Sequence, residues 1–383
     1  MLQLRGTLCA KSFIVALAAL AATASFAQSS VQIDGIFDAG LQAIDYKGTK
    51  VNGIAGNGSS TSQINFRGTE DLGGGLKANF RVETDWNTGF NRANTGAASA
   101  VGVGATATNT ANSAVSSFGN GEIRGGLSGN FGAVDLGVVN FNGLTSYTTG
   151  QPYGTAIGGG YGSIARVNAA GDLVRSDNSV KYTSPSFSGL NVTLYKANKQ
   201  TKGSNAADNF SSTLGRTDLM GSEEVGVNYA NGPVAVSFSS LKQDRNELVA
   251  TTGGSADTTS TRLNTLGANY AIGAGKVYGL YQTNKKSDST VDTKYWALSG
   301  TYTMGATVLM ASYGELKNDA AGAFNGKKSK LAALGADYNL SKRTAVYARY
   351  ESIDDKAGVV AVTGFTAAND KRTRTAVGLR HSF

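Results

Sequence analysis

From Leu76 to Trp86 the chain alternates without a break: Leu76, Ala78, Phe80, Val82, Thr84 and Trp86 against Lys77, Asn79, Arg81, Glu83 and Asp85. A period of two sends these sets to opposite faces of a β-strand. Just before it, Ile64, Phe66 and Gly68 alternate against Asn65 and Arg67, and Asp71-Leu72-Gly73-Gly74-Gly75 reverses the chain. Residues 62–86 therefore read as a hairpin with one apolar face and one heavily charged face. A charged face of this kind meets either bulk water, as in a soluble sandwich, or a water-filled lumen. The hairpin alone leaves that choice open.

The rest of the chain narrows it. Residues 1–27 have the marks of an export leader: Arg5 and Lys11 as a basic head, Phe13 to Leu20 as a short apolar run, and Ser25-Phe26-Ala27 as a small-x-small cleavage site. The run is too short to span a bilayer as a retained anchor. Cleavage after Ala27 leaves residues 28–383 as a single domain. The one cysteine, Cys9, leaves with the leader, so neither a disulfide nor a thiolate metal site is expected. Without Arg5 and Lys11, 33 basic residues face 27 acidic ones, a net charge of +6. The two signs are interspersed, and no basic run points to nucleic acid. Beyond the leader no apolar run approaches the ~18–20 residues of a membrane helix. A membrane form of this chain has to be a closed barrel.

Taken in order, Val31, Ile33, Gly35, Phe37, Ala39 and Leu41 define a first strand, and a polar loop runs to about Thr61. Residues 87–120, rich in Ala, Gly, Asn, Thr and Ser, read as a long exposed loop. Ile123, Gly125 and Leu127 resume the alternation; Asn130-Phe131-Gly132 turns the chain into Val134-Asp135-Leu136. Residues 140–174 form a second long irregular stretch, rich in Gly and Tyr, with Arg166 and Asp172 as its charges. After that the strands become regular and end on Tyr182, Tyr229, Tyr270, Tyr302 and Tyr338. Counted from the N-terminus these close even-numbered strands and share one rim, with Trp86 and Trp296 at the other. Aromatic belts, short turns at one end and long loops at the other are the layout of a transmembrane barrel. The count is sixteen strands. At ~10 residues each, roughly 160 residues make the wall. The register is ambiguous over 262–284. A soluble solenoid would need a fixed repeat, whereas the tyrosine endings lie 47, 41, 32 and 36 residues apart.

The chain resembles the trimeric Gram-negative porins of the β-proteobacterial type. The matching segments are Ser30–Gly35 with Asp38-Ala39-Gly40, Phe66–Ala78, Arg175–Pro185, Tyr338–Thr344 and the closing Gly378-Leu379-Arg380-His381-Ser382-Phe383. The resemblance implies an all-β closed barrel of the outer membrane, passing small hydrophilic solutes through a pore narrowed by an inward-folded loop. Residues 140–174 occupy that loop's place, carrying Tyr147, Tyr153, Tyr161, Arg166 and Asp172. It also implies a homotrimer surrounded by outer-membrane lipid and lipopolysaccharide, and an aromatic C-terminus, Phe383, read by the outer-membrane insertion machinery. There are departures. Val138-Val139 stand where the family carries Arg-Gln, and the constriction loop lacks its usual acidic residues.

Parity points Arg67, Arg81 and Arg124 inward, because a basic residue facing lipid near the midplane costs roughly 2–4 kcal/mol. They are the candidate basic side of the lumen and predict a weak anion preference. Asp34, Glu83, Asp85 and Glu122 are the candidate acidic lining. The competing reading pairs these charges as wall salt bridges. No catalytic set emerges: the acids are spread evenly, and His381, the one histidine, lies on the lipid-facing parity of the last strand. Gly73–Gly75 and Gly158–Gly160 lack the Lys-Ser/Thr of a phosphate loop. No enzyme activity, cofactor or metal is expected. A non-conducting structural or adhesin barrel is the alternative to a channel.

Overall fold

The computed structural model describes residues 30–46, 49–86, 88, 118–166, 174–198, 218–247, 259–358 and 371–383. The leader, nearly all of 87–117, and Asp172 lie outside the described residues. Within them, every strand joins one antiparallel sheet. In chain order they are β1 (Ser30–Tyr46), β2 (Thr49–Ala55), β3 (Ser62–Gly73), β4 (Leu76–Trp86), β5 (Ile123–Gly129), β6 (Gly132–Asn140), β7 (Arg175–Thr183), β8 (Leu190–Ala197) and β9 (Asp218–Asn231). Then come β10 (Val234–Glu247), β11 (Ser260–Ile272), β12 (Gly275–Lys286), β13 (Asp292–Met304), β14 (Thr307–Asn318), β15 (Lys328–Asn339), β16 (Thr344–Asp355) and β17 (Lys371–Ser382). One helix, α1 (Asn142–Thr149), interrupts the series.

Seventeen segments make sixteen wall strands, because β2 and β3 share one place in the wall. β2 pairs with Gly40–Tyr46 of β1, and β3 pairs with Ser30–Ile36 of the same strand. The expected polar loop to Thr61 is thus corrected: its first half is the upper part of the second wall strand. Between them the chain folds inward around Asp38. The Asp38 carboxylate accepts the backbone N–H of Gly58 (3.2 Å), Ser59 (2.9 Å) and Ser60 (2.9 Å), and the Tyr347 hydroxyl (2.8 Å). A buried carboxylate needs such partners, and these are four.

The sheet closes where β1 pairs with β17, from Ile36↔Ser382 to Tyr46↔Arg372. Gly35 and Phe383 exchange two backbone hydrogen bonds at 3.1 Å. The Phe383 ring lies over the bare Cα of Gly35, where a Cβ would collide with it. Gly73, Gly74 and Gly75 all take positive φ (85°, 61° and 82°), which only glycine adopts freely, and this makes the β3–β4 reversal. The tyrosine-ended strands β7, β9, β11, β13 and β15 all terminate at the short-turn rim. Tyr229, Tyr270, Tyr302 and Tyr338 are exposed there on the outer face, as the sequence predicts, and Trp296 stands near the opposite rim.

Outside, alternate positions are apolar and exposed: Val31, Leu41, Leu136, Leu194, Leu298 and Val377 among them. Inside, the β11–β12 register runs unshifted from Thr261↔Lys286 to Ile272↔Gly275. The sequence is ambiguous there because Leu263 and Leu280 also point inward, where both are buried.

Asp38 ties the broken second strand to the wall, so Asp38→Ala should cost roughly 2–4 kcal/mol by stranding several buried donors. Heat-modifiability on a gel measures it: the folded band should be lost at a lower temperature than in the unaltered protein.

Candidate functional site

The lumen is bounded by a charged wall and a neutral inner loop. On the wall, Arg67, Arg81 and Arg124 stand directly opposite one another on β3, β4 and β5. Like charges in facing positions repel, so such a row persists only with carboxylates between its members. Asp34 meets Arg67 at 2.7 Å. Glu122 takes Arg81 at 2.9 Å and Arg124 at 3.6 Å, while Glu83 also pairs with Arg81. Asp135 holds Arg124 at 2.6 Å. Asn65 fixes the orientation, accepting from two nitrogens of Arg81 and donating to Asp34 at 2.9 Å.

The structure therefore brings together Arg67, Arg81, Arg124, Asp34, Glu83, Asp85 and Glu122 in one network of ion pairs and hydrogen bonds. Two members escaped sequence reasoning, Arg175 and Asp135. Arg175 reaches Glu83 at 3.5 Å and Asp85 at 3.4 Å. The β6–β7 ladder shifts between Gly137 and Val139, and Asn178 takes a positive φ of 53°, so simple alternation does not carry across to Arg175. Asp135 sits on the charged parity beside Val134 and Leu136 and could have been read from it.

In all but one of these pairs the arginine is the more exposed member. Arg67 is 46% exposed against 33% for Asp34. Arg124 is 26% exposed against 15% for Asp135, and Arg81 is 19% exposed against 7% for Glu83 and Glu122. Arg175 exceeds Glu83 and equals Asp85. The carboxylates lie against the wall and the guanidinium groups cover them.

The loop after β6 turns into the barrel. Val139, standing where the family pattern carries Gln, is buried with Phe141, Tyr195, Ala197 and Leu241, and this apolar cluster starts the inward course. Helix α1 follows. The backbone N–H of Asn142 and Gly143 donate to the Glu224 carboxylate on β9 at 2.5 and 2.7 Å, a favourable place for an anion. Tyr147 is fully buried with Ile164, Leu280, Tyr295, Leu316, Leu331 and Ile353. Burial holds its phenol well above the ordinary pKa, so it stays protonated and donates to the Gly159 carbonyl at 3.1 Å.

Further on, Tyr153 packs against Met310 and Ala333, with the Arg349 guanidinium 6.0 Å from its ring. The Gly158 and Gly160 N–H groups donate to one oxygen of Glu351 at 3.0 and 3.1 Å. Arg372 and Arg374 hold the other oxygen at 3.2 and 2.7 Å. The Tyr161 ring lies 5.9 Å from that of Tyr147, tilted by 51°, and the Arg166 N–H donates to Gln282 at 3.0 Å. The loop carries no carboxylate of its own among its described residues; Glu224 and Glu351 of the wall supply the anchors instead. It covers the inner face of β9–β17 and leaves the arginine-bearing β3–β7 wall facing it.

A closed barrel of sixteen strands, apolar outside and charged inside, with a loop folded into its lumen, is an outer-membrane channel for passive diffusion of small hydrophilic solutes and ions. The sequence profile of Gram-negative porins matches residues 15–358. Outer membrane porin protein 32 of Delftia acidovorans is 33% identical over 401 residues, covering 97% of this chain and 100% of that one. Among solved structures, an anion-selective porin from Comamonas acidovorans aligns with a TM-score of 0.69 at 26% identity, over 93% of this chain and 100% of that one. OmpT, an outer membrane protein of Vibrio cholerae solved in a trimer form, shares the fold with a TM-score of 0.60 at 16% identity, over 93% and 99% of the two chains. The chain belongs to the Gram-negative porin family. These matches do not favour the alternative of a non-conducting structural or adhesin barrel.

Glu351→Ala removes the acceptor of two loop amides and strands two buried arginines, a change of roughly 3–5 kcal/mol. In planar bilayers the variant should show noisier and larger single-channel steps. A conductance trace matching that of the unaltered protein would place the loop's anchor elsewhere.

Proposed function

We propose that this porin is a weakly anion-preferring, size-limiting channel, and that it works by diffusion alone rather than by catalysis. One observation carries the preference: along the wall facing the loop, carboxylates lie beneath and guanidinium groups above. The network holds four arginines and five carboxylates, so the preference rests on exposure rather than on net charge and is small. The exposed positive ends remain, and a narrow aqueous pore with low-dielectric walls magnifies a weak fixed field. The structural relative described as anion-selective supports this sign. The loop acts mainly by bulk, since it presents few charges to a passing solute.

Further readings belong to the same proposal. Residues 1–27 serve as a cleaved leader, and Phe383, paired at the barrel seam, is the residue read by the insertion machinery. The chain works as a homotrimer embedded in outer-membrane lipid and lipopolysaccharide. The trimer form of the V. cholerae relative supports the oligomer. So does the outer face of β1–β6, where small residues (Ala39, Ala78 and Gly125) would let a second wall approach closely.

The reversal potential in a salt gradient across a planar bilayer tests the preference. The unaltered channel should favour the anion of potassium chloride by a small factor. Arg67→Ser, which uncovers Asp34, should bring the ratio to unity or past it. Cation preference in the unaltered protein would overturn the proposal.

A further inference from the structure

The lumen holds a second inward projection besides the long loop. Between β2 and β3, residues 56–61 leave the sheet and fold in over β1, where Asp38 gathers their amides. Asn57 takes a positive φ of 61°, an uncommon conformation outside glycine. The Gln42 amide donates to the Gly56 carbonyl at 2.6 Å, and the Thr88 and Ser62 hydroxyls both donate to the Asp38 carbonyl, at 2.6 and 3.0 Å. So many bonds on so short a segment fix its shape.

Two side chains of β16 join this turn to its surroundings. The Tyr347 hydroxyl lies against the bare Cα atoms of Gly40 on β1, Gly378 on β17 and Gly58 in the turn, and a Cβ on any of them would collide with it. Those absences let the turn settle against the tyrosine. Arg349, 5% exposed, does more. Its guanidinium donates to the Ser59 hydroxyl at 2.9 Å and pairs with Asp337 at 2.7 Å. It also stands 5.4 Å from the Tyr347 ring and 6.0 Å from the Tyr153 ring of the loop. Loop and turn meet directly as well: the Thr155 and Thr61 hydroxyls are 3.2 Å apart, and Ile157 is buried with Tyr347 and Ala376. One arginine thus touches the turn, the loop and the wall.

We propose that residues 56–61 are a second constricting element of the pore, and that Arg349 is the positioning residue that locks this turn to the loop. The inference rests on the size-limiting reading above and deepens it by naming a part of the constriction outside the loop. The steric argument is one of coverage. The loop covers β9–β17 and the arginines stand on β3–β7, which leaves the interior over β1. Residues 56–61 occupy that place, and Gly40 beneath them has no side chain to fill it. The electrostatic argument agrees. Asp337 offsets Arg349, amides cover Asp38, and the half-buried residues of the turn are the neutral Asn57, Ser60 and Thr61. The turn therefore obstructs without adding charge. A file opened over β1 would run farther from Arg81 and Arg124, and salt screening over about 8 Å would weaken their pull on anions there. Losing the turn should widen the pore and dilute its preference together.

The test uses the full barrel in planar bilayers. Arg349→Met removes the bond to Ser59 and should raise single-channel conductance roughly 1.5-fold while moving the anion-to-cation ratio toward one. Thr61→Cys with Thr155→Cys puts two thiols where the hydroxyls stand 3.2 Å apart, in a chain whose one cysteine lies within residues 1–27. This pair should oxidise to a disulfide, resist alkylation and leave conductance unaltered. Added to Arg349→Met, the oxidised pair should restore the original conductance and ratio, and reduction should undo the rescue. An arginine with a merely structural role would give no such redox-dependent recovery. Ser60→Trp adds bulk to the turn while keeping the Ser60 N–H for Asp38, and should lower conductance by roughly a third. If Arg349→Met fails to assemble, Ser60→Trp and the cysteine pair decide the matter without it. Unchanged conductance in Ser60→Trp, a cysteine pair that stays reduced, or an Arg349→Met channel that the disulfide does not restore would overturn the proposal. An unaltered protein that forms no channel would overturn the diffusion reading itself, so the two failures are distinct.

Discussion

Hydrocarbon offers no partner to a backbone amide, and this requirement governs the rest of the structure. Every wall strand must be paired on both sides, so the sheet has to close. Closure falls on the β1–β17 ladder and ends at the reciprocal bonds of Gly35 and Phe383. The missing side chain at Gly35 lets the terminal aromatic ring lie flat on the seam. Where the second wall strand breaks, Asp38 collects the freed amides of Gly58, Ser59 and Ser60.

A barrel of this width would be an open tube if its interior were uniformly polar. It is not. Leu241, Leu263, Leu280, Leu316, Leu331 and Ile353 point inward and are buried. They give α1 and the following loop an apolar bed, against which Tyr147 and Ile164 lose all contact with water. The two carboxylates that hold the loop, Glu224 and Glu351, work on its backbone rather than on its side chains. That explains how a loop with so few charges is held firmly inside the barrel. Positioning by backbone amides also frees its side chains from any sequence signature.

On the opposite wall the physics is electrostatic. Three arginines in facing positions would repel strongly, and the interleaved Glu83, Glu122, Asp34 and Asp135 make the row tolerable. The same pairing limits selectivity: what a solute senses is the residue of nearly balanced charges, set by which partner is nearer the water. In the proposed preference, exposure rather than charge count sets the sign.

The period-two pattern of the sequence determined the class of fold, the even strand number, the two aromatic rims and the inward orientation of Arg67, Arg81 and Arg124. Those features follow from alternation, which is local and survives in the primary structure. Alternation failed where a strand has apolar residues on both faces. At Leu263 and Leu280 the inner face is itself a packing surface, and only the loop resting on it explains them. It failed again at Asn178, where one extra residue hides Arg175 from any count of parity. The break between β2 and β3 was hidden because Asp38 and Tyr347, 309 residues apart, meet only after the barrel closes. Ion pairing, loop anchorage and the relative exposure of Arg67 and Asp34 depend on distances between strands, and those distances exist only in the closed barrel.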